Sequence, residues 1–85
     1  MKWGLAIANR ARRAMRDMPR EDAEQIDAVF VEMRADPFGG DIRFLKGTDR
    51  ALRRRVGPWR IMYEVHSDRR IIVVNDVERR GSNTY

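Results

Sequence analysis

Residues 59–65 alternate in strict order: Trp59, Ile61, Tyr63 and Val65 are separated by Arg60, Met62 and Glu64. A period of two fixes a β-strand with one face turned to a core and the other left open. Such a strand requires neighbours and a cover on one face only. The neighbours are legible on both sides. Leu52–Val56 precedes it across a Gly57-Pro58 reversal. Arg70–Val77 follows a turn at His66-Ser67-Asp68-Arg69, and its run Ile71-Ile72-Val73-Val74, apolar on both faces, makes it the most buried strand. A shorter strand, Ile42–Leu45, lies between the Phe38-Gly39-Gly40 loop and Lys46-Gly47.

The cover comes from the N-terminal part. Trp3–Ala8 reads as a strand with Trp3, Leu5 and Ile7 on one face, and Asn9 is a candidate N-cap for the helix that follows. In that helix Ala11, Ala14, Met15 and Met18 recur at helical spacing, while Arg10, Arg12, Arg13 and Arg16 take the other face. Pro19 breaks the run. A second helix starts near Arg20, with Glu21, Asp22 and Glu24 in its first turn, where the helix dipole favours anions. Its stripe is Ala23, Ile26, Val29, Phe30 and Met33, and Asp36-Pro37 ends it. The pattern condenses to an α+β fold of order β-α-α-β-β-β, a small antiparallel sheet with an N-terminal helical hairpin packed on one face. With 85 residues and no linker, repeat or low-complexity tract, residues 1–85 are expected to form a single domain.

The chain has no cysteine and a single histidine, His66, which excludes a disulfide framework, a thiol nucleophile and any Cys-ligated or multi-histidine metal site. No metal and no cofactor is expected. The uncharged stretch Trp3–Ala8 is too short for a signal-peptide apolar region or a membrane span, so the expectation is a cytoplasmic protein with no membrane partner. The charge is more telling. Residues 1–49 are balanced, nine cations against nine acids, whereas residues 50–85 carry nine arginines against four acids and hold the whole net charge of +5. Sixteen of the eighteen cations are Arg, the side chain that forks onto phosphate and stacks on bases. This points to a polyanion, either nucleic acid or an acidic protein segment.

By alternation Arg53 and Arg55 share one strand face, Arg54 points the other way with Leu52 and Val56, and Arg60 lies across the turn. If they converge, the helix-free face is cationic; a solvated strand face accounts for the same residues equally well. His66 reads as a turn residue, Lys46 before Gly47 as a strand-end turn, Met15, Met18 and Met33 as core, and Trp59 and Tyr63 as sheet core. Tyr85, after a polar run, has no evident core to join and suits a contact role, while Arg79 and Arg80 suit either a site or a solvated basic end. The second helix, with a local net charge of −4, directs a nucleic acid toward the sheet instead.

The string Leu45-Lys46-Gly47, followed by Leu52-Arg53-Arg54-Arg55-Val56-Gly57-Pro58-Trp59-Arg60-Ile61-Met62-Tyr63-Glu64-Val65, resembles the signature of the RelE/ParE toxin superfamily. The order of elements agrees from Trp3 to Tyr85. For RelE-like members the resemblance implies the toxin of a type II toxin–antitoxin system, a ribosome-dependent endoribonuclease that cuts mRNA in the decoding site and so inhibits translation. The ribose 2′-hydroxyl attacks the adjacent phosphate, and catalysis is largely orientation plus stabilisation of a negatively charged phosphorane. Carried over, the basic strand positions fall on Arg53 and Arg55 and the adjacent-strand arginine on Arg60. Arg79 assists the leaving 5′-oxygen, Tyr85 stacks on a substrate base, and Lys46 and Arg80 are further RNA contacts.

The RelE prototype has lysines where this chain has Arg53 and Arg55, and an arginine does not give up its proton near neutrality. Glu64 and His66 are the candidate bases. Either charge stabilisation alone drives the reaction or the chain is a weakly active or non-toxic binding module. A ParE-like inhibitor of DNA gyrase is the other alternative, against which Arg79 and Tyr85 count. The resemblance implies an acidic cognate antitoxin as partner, besides ribosome and mRNA. No helix-turn-helix is recognisable, so no autonomous sequence-specific DNA binding is expected. Arg54 stands where the pattern has an aliphatic residue, and on the helix-packed face it requires a partner or an exposed strand end.

Overall fold

Why the helices sit where they do follows from the sheet they cover. In the computed structural model, which describes residues 2–48 and 50–79, the order is β1 (Gly4–Ile7), α1 (Asn9–Asp17), α2 (Arg20–Ala35), β2 (Ile42–Phe44), β3 (Ala51–Val56), β4 (Trp59–His66) and β5 (Ile71–Arg79). The strands form one sheet in the order β1-β5-β4-β3-β2. Strands β2 to β5 are an antiparallel meander, as the turn residues predict. The α+β class and the helical hairpin on one face agree with the sequence reading.

Two details differ. Four strands follow the helices instead of the three of the condensed order. The sheet is also mixed, because β1 pairs parallel to β5 with Gly4 opposite Ile71 and Ile7 opposite Val74. A hairpin of helices returns the chain to the side from which it left, so the first strand can dock beside the last in the same direction. Asn9 is not a cap: Ala8 occupies that position, no side chain caps α1, and the Ala8 N–H is held by the Val74 carbonyl at 2.9 Å. Strand pairing thus continues to the last residue before the helix.

The core lies between the helices and one sheet face. Ala11 and Met18 meet Ile26, Val29, Phe30 and Met33 of α2, and all of these pack on Leu52, Trp59, Ile61, Tyr63, Val65, Ile72, Val74 and Val77. Trp59 and Tyr63 are core residues as expected, each anchored by its polar atom: Trp59 Nε1 donates to Asp22 at 3.0 Å and Tyr63 Oη to the Pro37 carbonyl at 2.7 Å. Arg54 does lie on the helix-packed face. It is 8% exposed, and its Nη2 donates to Glu32 of α2 at 2.6 Å. Gly40, at φ +81°, leaves the room: a Cβ there would come within 2.5 Å of the Arg54 guanidinium carbon.

The register of β5 slips at the β4 positions Met62 and Tyr63. Tyr63 faces Val74 and Met62 faces Asp76, leaving Asn75 as the extra residue of a bulge. The slip turns Val77 into the core and places Asp76 and Glu78 on the face of Met62 and Arg60. Strand β5 also runs two residues past the expected end at Val77, so Glu78 and Arg79 belong to the sheet. His66 likewise ends β4, and the turn shifts to Ser67–Arg70, where Arg70 adopts φ 53° and its guanidinium lies 4.6 Å from the Trp3 ring.

Candidate nucleic-acid interface

The open face of the sheet is built by alternation. In β2, Arg43 points to the side opposite Ile42; in β3, Arg53 and Arg55 point away from Leu52 and Arg54; in β4, Arg60 points away from Trp59. The ladders then set these cations against one another, Arg43 facing Arg53 and Arg55 facing Arg60. Four guanidiniums on three adjacent strands make a like-charged array. Its effect is visible at Arg53, whose pKa is pushed down by partial desolvation first and then by Arg43, Arg55 and Arg60, with Asp41 opposing. Carboxylates at the rim answer part of the charge: Arg55 lies 3.7 Å from Asp41 and Arg60 3.8 Å from Glu78. Arg60 Nε is buried and finds no acceptor among the described residues.

Beyond β1, whose pairing ends at Val74, the edge of β5 borders a cavity of about 400 Å³. Its wall comes from Arg10 and Ala14 of α1, Arg60 of β4, and Asp76, Val77, Glu78 and Arg79 of β5. Arg60 therefore belongs to both the array and the cavity. Arg79 does not share the array's face: it pairs with Trp59 on the helix side, with its guanidinium 5.7 Å from the Trp59 ring, and it meets Arg60 only at the cavity.

Of the residues singled out in the sequence, Arg53, Arg55 and Arg60 are thus brought together on one face, and Arg79 joins them around the β5 edge. Lys46 sits in the exposed turn after β2, at the sheet end away from the Gly57-Pro58 turn. Arg80 and Tyr85 lie outside the described residues. Glu64 and His66 face the same open side as Arg60, with His66 Nε2 3.0 Å from Glu64 Oε1 and Asn75 Nδ2 donating to Glu64 Oε2 at 3.2 Å. Sequence reasoning missed Arg43 and Arg10. The parity of Ile42-Arg43-Phe44 carried the first; nothing local signalled that α1 would bring Arg10 to β5.

This surface can hold phosphodiesters by charge-assisted hydrogen bonds and stabilise added negative charge on them. Among the described residues no group of His, Cys, Asp and Glu is arranged to hold a metal ion, and no helix is long and apolar enough to cross a membrane.

No family model matches the chain. The fold is that of solved RelE proteins. The RelE–RelB complex of Pyrococcus horikoshii matches with a TM-score of 0.86 at 21% identity, over 96% of this chain and 99% of that one. The isolated Escherichia coli RelE toxin matches with a TM-score of 0.81 at 19% identity, over 96% of this chain and 88% of that one. In sequence, a chain of Methanocaldococcus jannaschii assigned as toxin RelE1 is 30% identical over 83 residues, spanning 94% of this chain and 92% of that relative. That likeness, across nearly the full length of both chains and on the same fold, makes this chain a member of the RelE-like toxin superfamily.

Proposed function

We propose that this protein is the toxin of a type II toxin–antitoxin pair and acts as a ribosome-dependent endoribonuclease on mRNA, in the cytoplasm where translation occurs. The observation that carries this reading is the convergence of Arg53, Arg55 and Arg60 on one open sheet face with Arg79 at its border. In the proposed reaction the 2′-hydroxyl oxygen attacks the neighbouring phosphorus and the bond to the 5′-oxygen breaks, leaving a 2′,3′-cyclic phosphate. Arg53, Arg55 and Arg60 neutralise the phosphorane, and Arg79 steadies the charge developing on the 5′-oxygen. The 2′-hydroxyl proton requires an acceptor that arginine does not provide, and the Glu64–His66 pair on the same face is the group suited to it. Tyr85 is assigned base stacking, and Lys46 and Arg80 flanking RNA contacts.

An antitoxin with an acidic segment fits the same arginines, and solved relatives in the fold are RelE–RelB complexes. The test is cell-free translation of a defined mRNA with purified protein, followed by primer extension. Cleavage that needs ribosomes and fades in Arg60→Ala supports the reading. Intact mRNA with normal translation overturns it, and a gyrase supercoiling assay and antitoxin capture then separate a ParE-like inhibitor from a binding module.

A further inference from the structure

The cavity at the β5 edge shares Arg60 and Arg79 with the proposed endoribonuclease site, but its other charged walls, Arg10, Asp76 and Glu78, have no part in that reading. Among the described residues, three guanidiniums (Arg10, Arg60 and Arg79) and two carboxylates (Asp76 and Glu78) line it, a wall on which a phosphodiester can be held by charge-assisted hydrogen bonds. The carboxylates already engage cations of the wall. Asp76 Oδ2 lies 3.2 Å from Arg10 Nε, and Glu78 lies 3.8 Å from Arg60. The two members of the first pair differ in freedom. The Asp76 side chain is 15% exposed and its Oδ1 accepts the Val77 N–H at 2.9 Å, so the carboxylate is fixed. The Arg10 side chain is 75% exposed and held at one nitrogen, so it can turn to a new acceptor without disturbing the helix.

We infer that this cavity is a second phosphate site, adjoining the arginine array through Arg60, in which Arg10 binds a backbone phosphate of the RNA after exchanging its contact with Asp76. The ligand's identity as RNA rests on the reading above; the site itself rests on the cavity and its charges. Arg60 supplies a further observation, since its buried Nε–H is a donor without an acceptor among the described residues. A phosphodiester in the cavity would provide one once the Arg60 side chain, 30% exposed, turns toward it. Asp76 is then an internal competitor. It keeps Arg10 at the cavity rim when no RNA is present and opposes the phosphate when RNA arrives. A partly exposed ion pair contributes little to stability, so exchanging it costs little.

The experiment measures the affinity of the purified protein for a 2′-O-methyl RNA oligonucleotide, which cannot be cleaved, across a series of salt concentrations. Arg10→Gln is expected to weaken binding about threefold to tenfold and to lower the salt slope by about one phosphate contact. Asp76→Asn keeps the Oδ1 acceptor for Val77 and removes only the charge, and it is expected to tighten binding about threefold or more. Arg13→Gln removes the same charge from the same exposed helix away from the cavity and is expected to change affinity less than twofold. Weaker or unchanged binding in Asp76→Asn overturns the inference, as does an equal loss in Arg13→Gln and Arg10→Gln, which would mean charge without a site. Absence of binding by the parent overturns it too. These outcomes are separate from the ribosome-dependent cleavage assay, whose failure removes the nuclease reading and leaves a phosphate site standing.

Discussion

Arg55 and Arg60 stand directly opposite each other across the β3–β4 ladder, one pair short of the Gly57-Pro58 turn. Like charges at facing positions destabilise a sheet, and here Arg43 and Arg53 repeat the arrangement on the next ladder. The fold therefore carries a repulsion that a bound polyanion would relieve. Arg53→Gln is expected to raise the unfolding free energy by about 0.3 kcal/mol, and the urea midpoint with it, while ribosome-dependent cleavage falls. Raising salt should stabilise the parent more than the variant, because the array is screened. Equal salt responses in equilibrium unfolding would contradict this.

Arg54 tests the opposite face. Glu32→Ala leaves a buried guanidinium without its partner and should cost about 1–2 kcal/mol, less than a fully buried pair because Glu32 is itself largely exposed. Arg54→Leu removes the charge together with the need for a partner and is expected to be close to neutral. Urea unfolding of the two variants decides whether the pair stabilises the protein or merely satisfies itself.

Gly40→Ala places a methyl within 2.5 Å of the Arg54 guanidinium carbon, at φ +81°. Both strain and collision act, and the expected loss is about 2 kcal/mol. In the Arg54→Leu background the collision is relieved and only the backbone cost remains, about 1 kcal/mol. A loss of the same size in both backgrounds would mean that the side chains are not coupled.

Burial raises the Tyr63 phenol pKa from 10.0 to about 12, with Asp36 adding to the rise and Arg54 opposing it. Because the folded state holds the proton more tightly than the unfolded state, this contribution is complete below pH 10. It is lost as the pH climbs from 10 towards 12. Tyr63→Phe should lose about 1 kcal/mol at neutral pH, for the missing hydrogen bond to Pro37, and show a shallower decline in alkali. Thermal melts from pH 8 to pH 11 provide the check.

The elements most legible in the sequence were those whose periodicity reports burial directly. Trp59, Ile61, Tyr63 and Val65 gave β4 its face, and Ile26, Val29, Phe30 and Met33 gave α2 its stripe. The bulge at Asn75 left a trace that is easy to pass over: Ile72 and Val74 keep parity, whereas Val77 is three residues on. What periodicity does not encode is which strand edges meet. The β1–β5 pairing and the approach of Arg10 to Asp76 are both set by how the helical hairpin returns the chain, so half of the cavity was invisible from local pattern. The same limit hid the face of Arg79, because a residue beyond the expected strand end at Val77 has no assigned side until its ladder is known.

The parallel pairing of β1 with β5 also sets a schedule. The first strand of the sheet in chain order has the last as its neighbour, so the sheet cannot close until β5 has been made. The cavity between α1 and β5 waits on the same event.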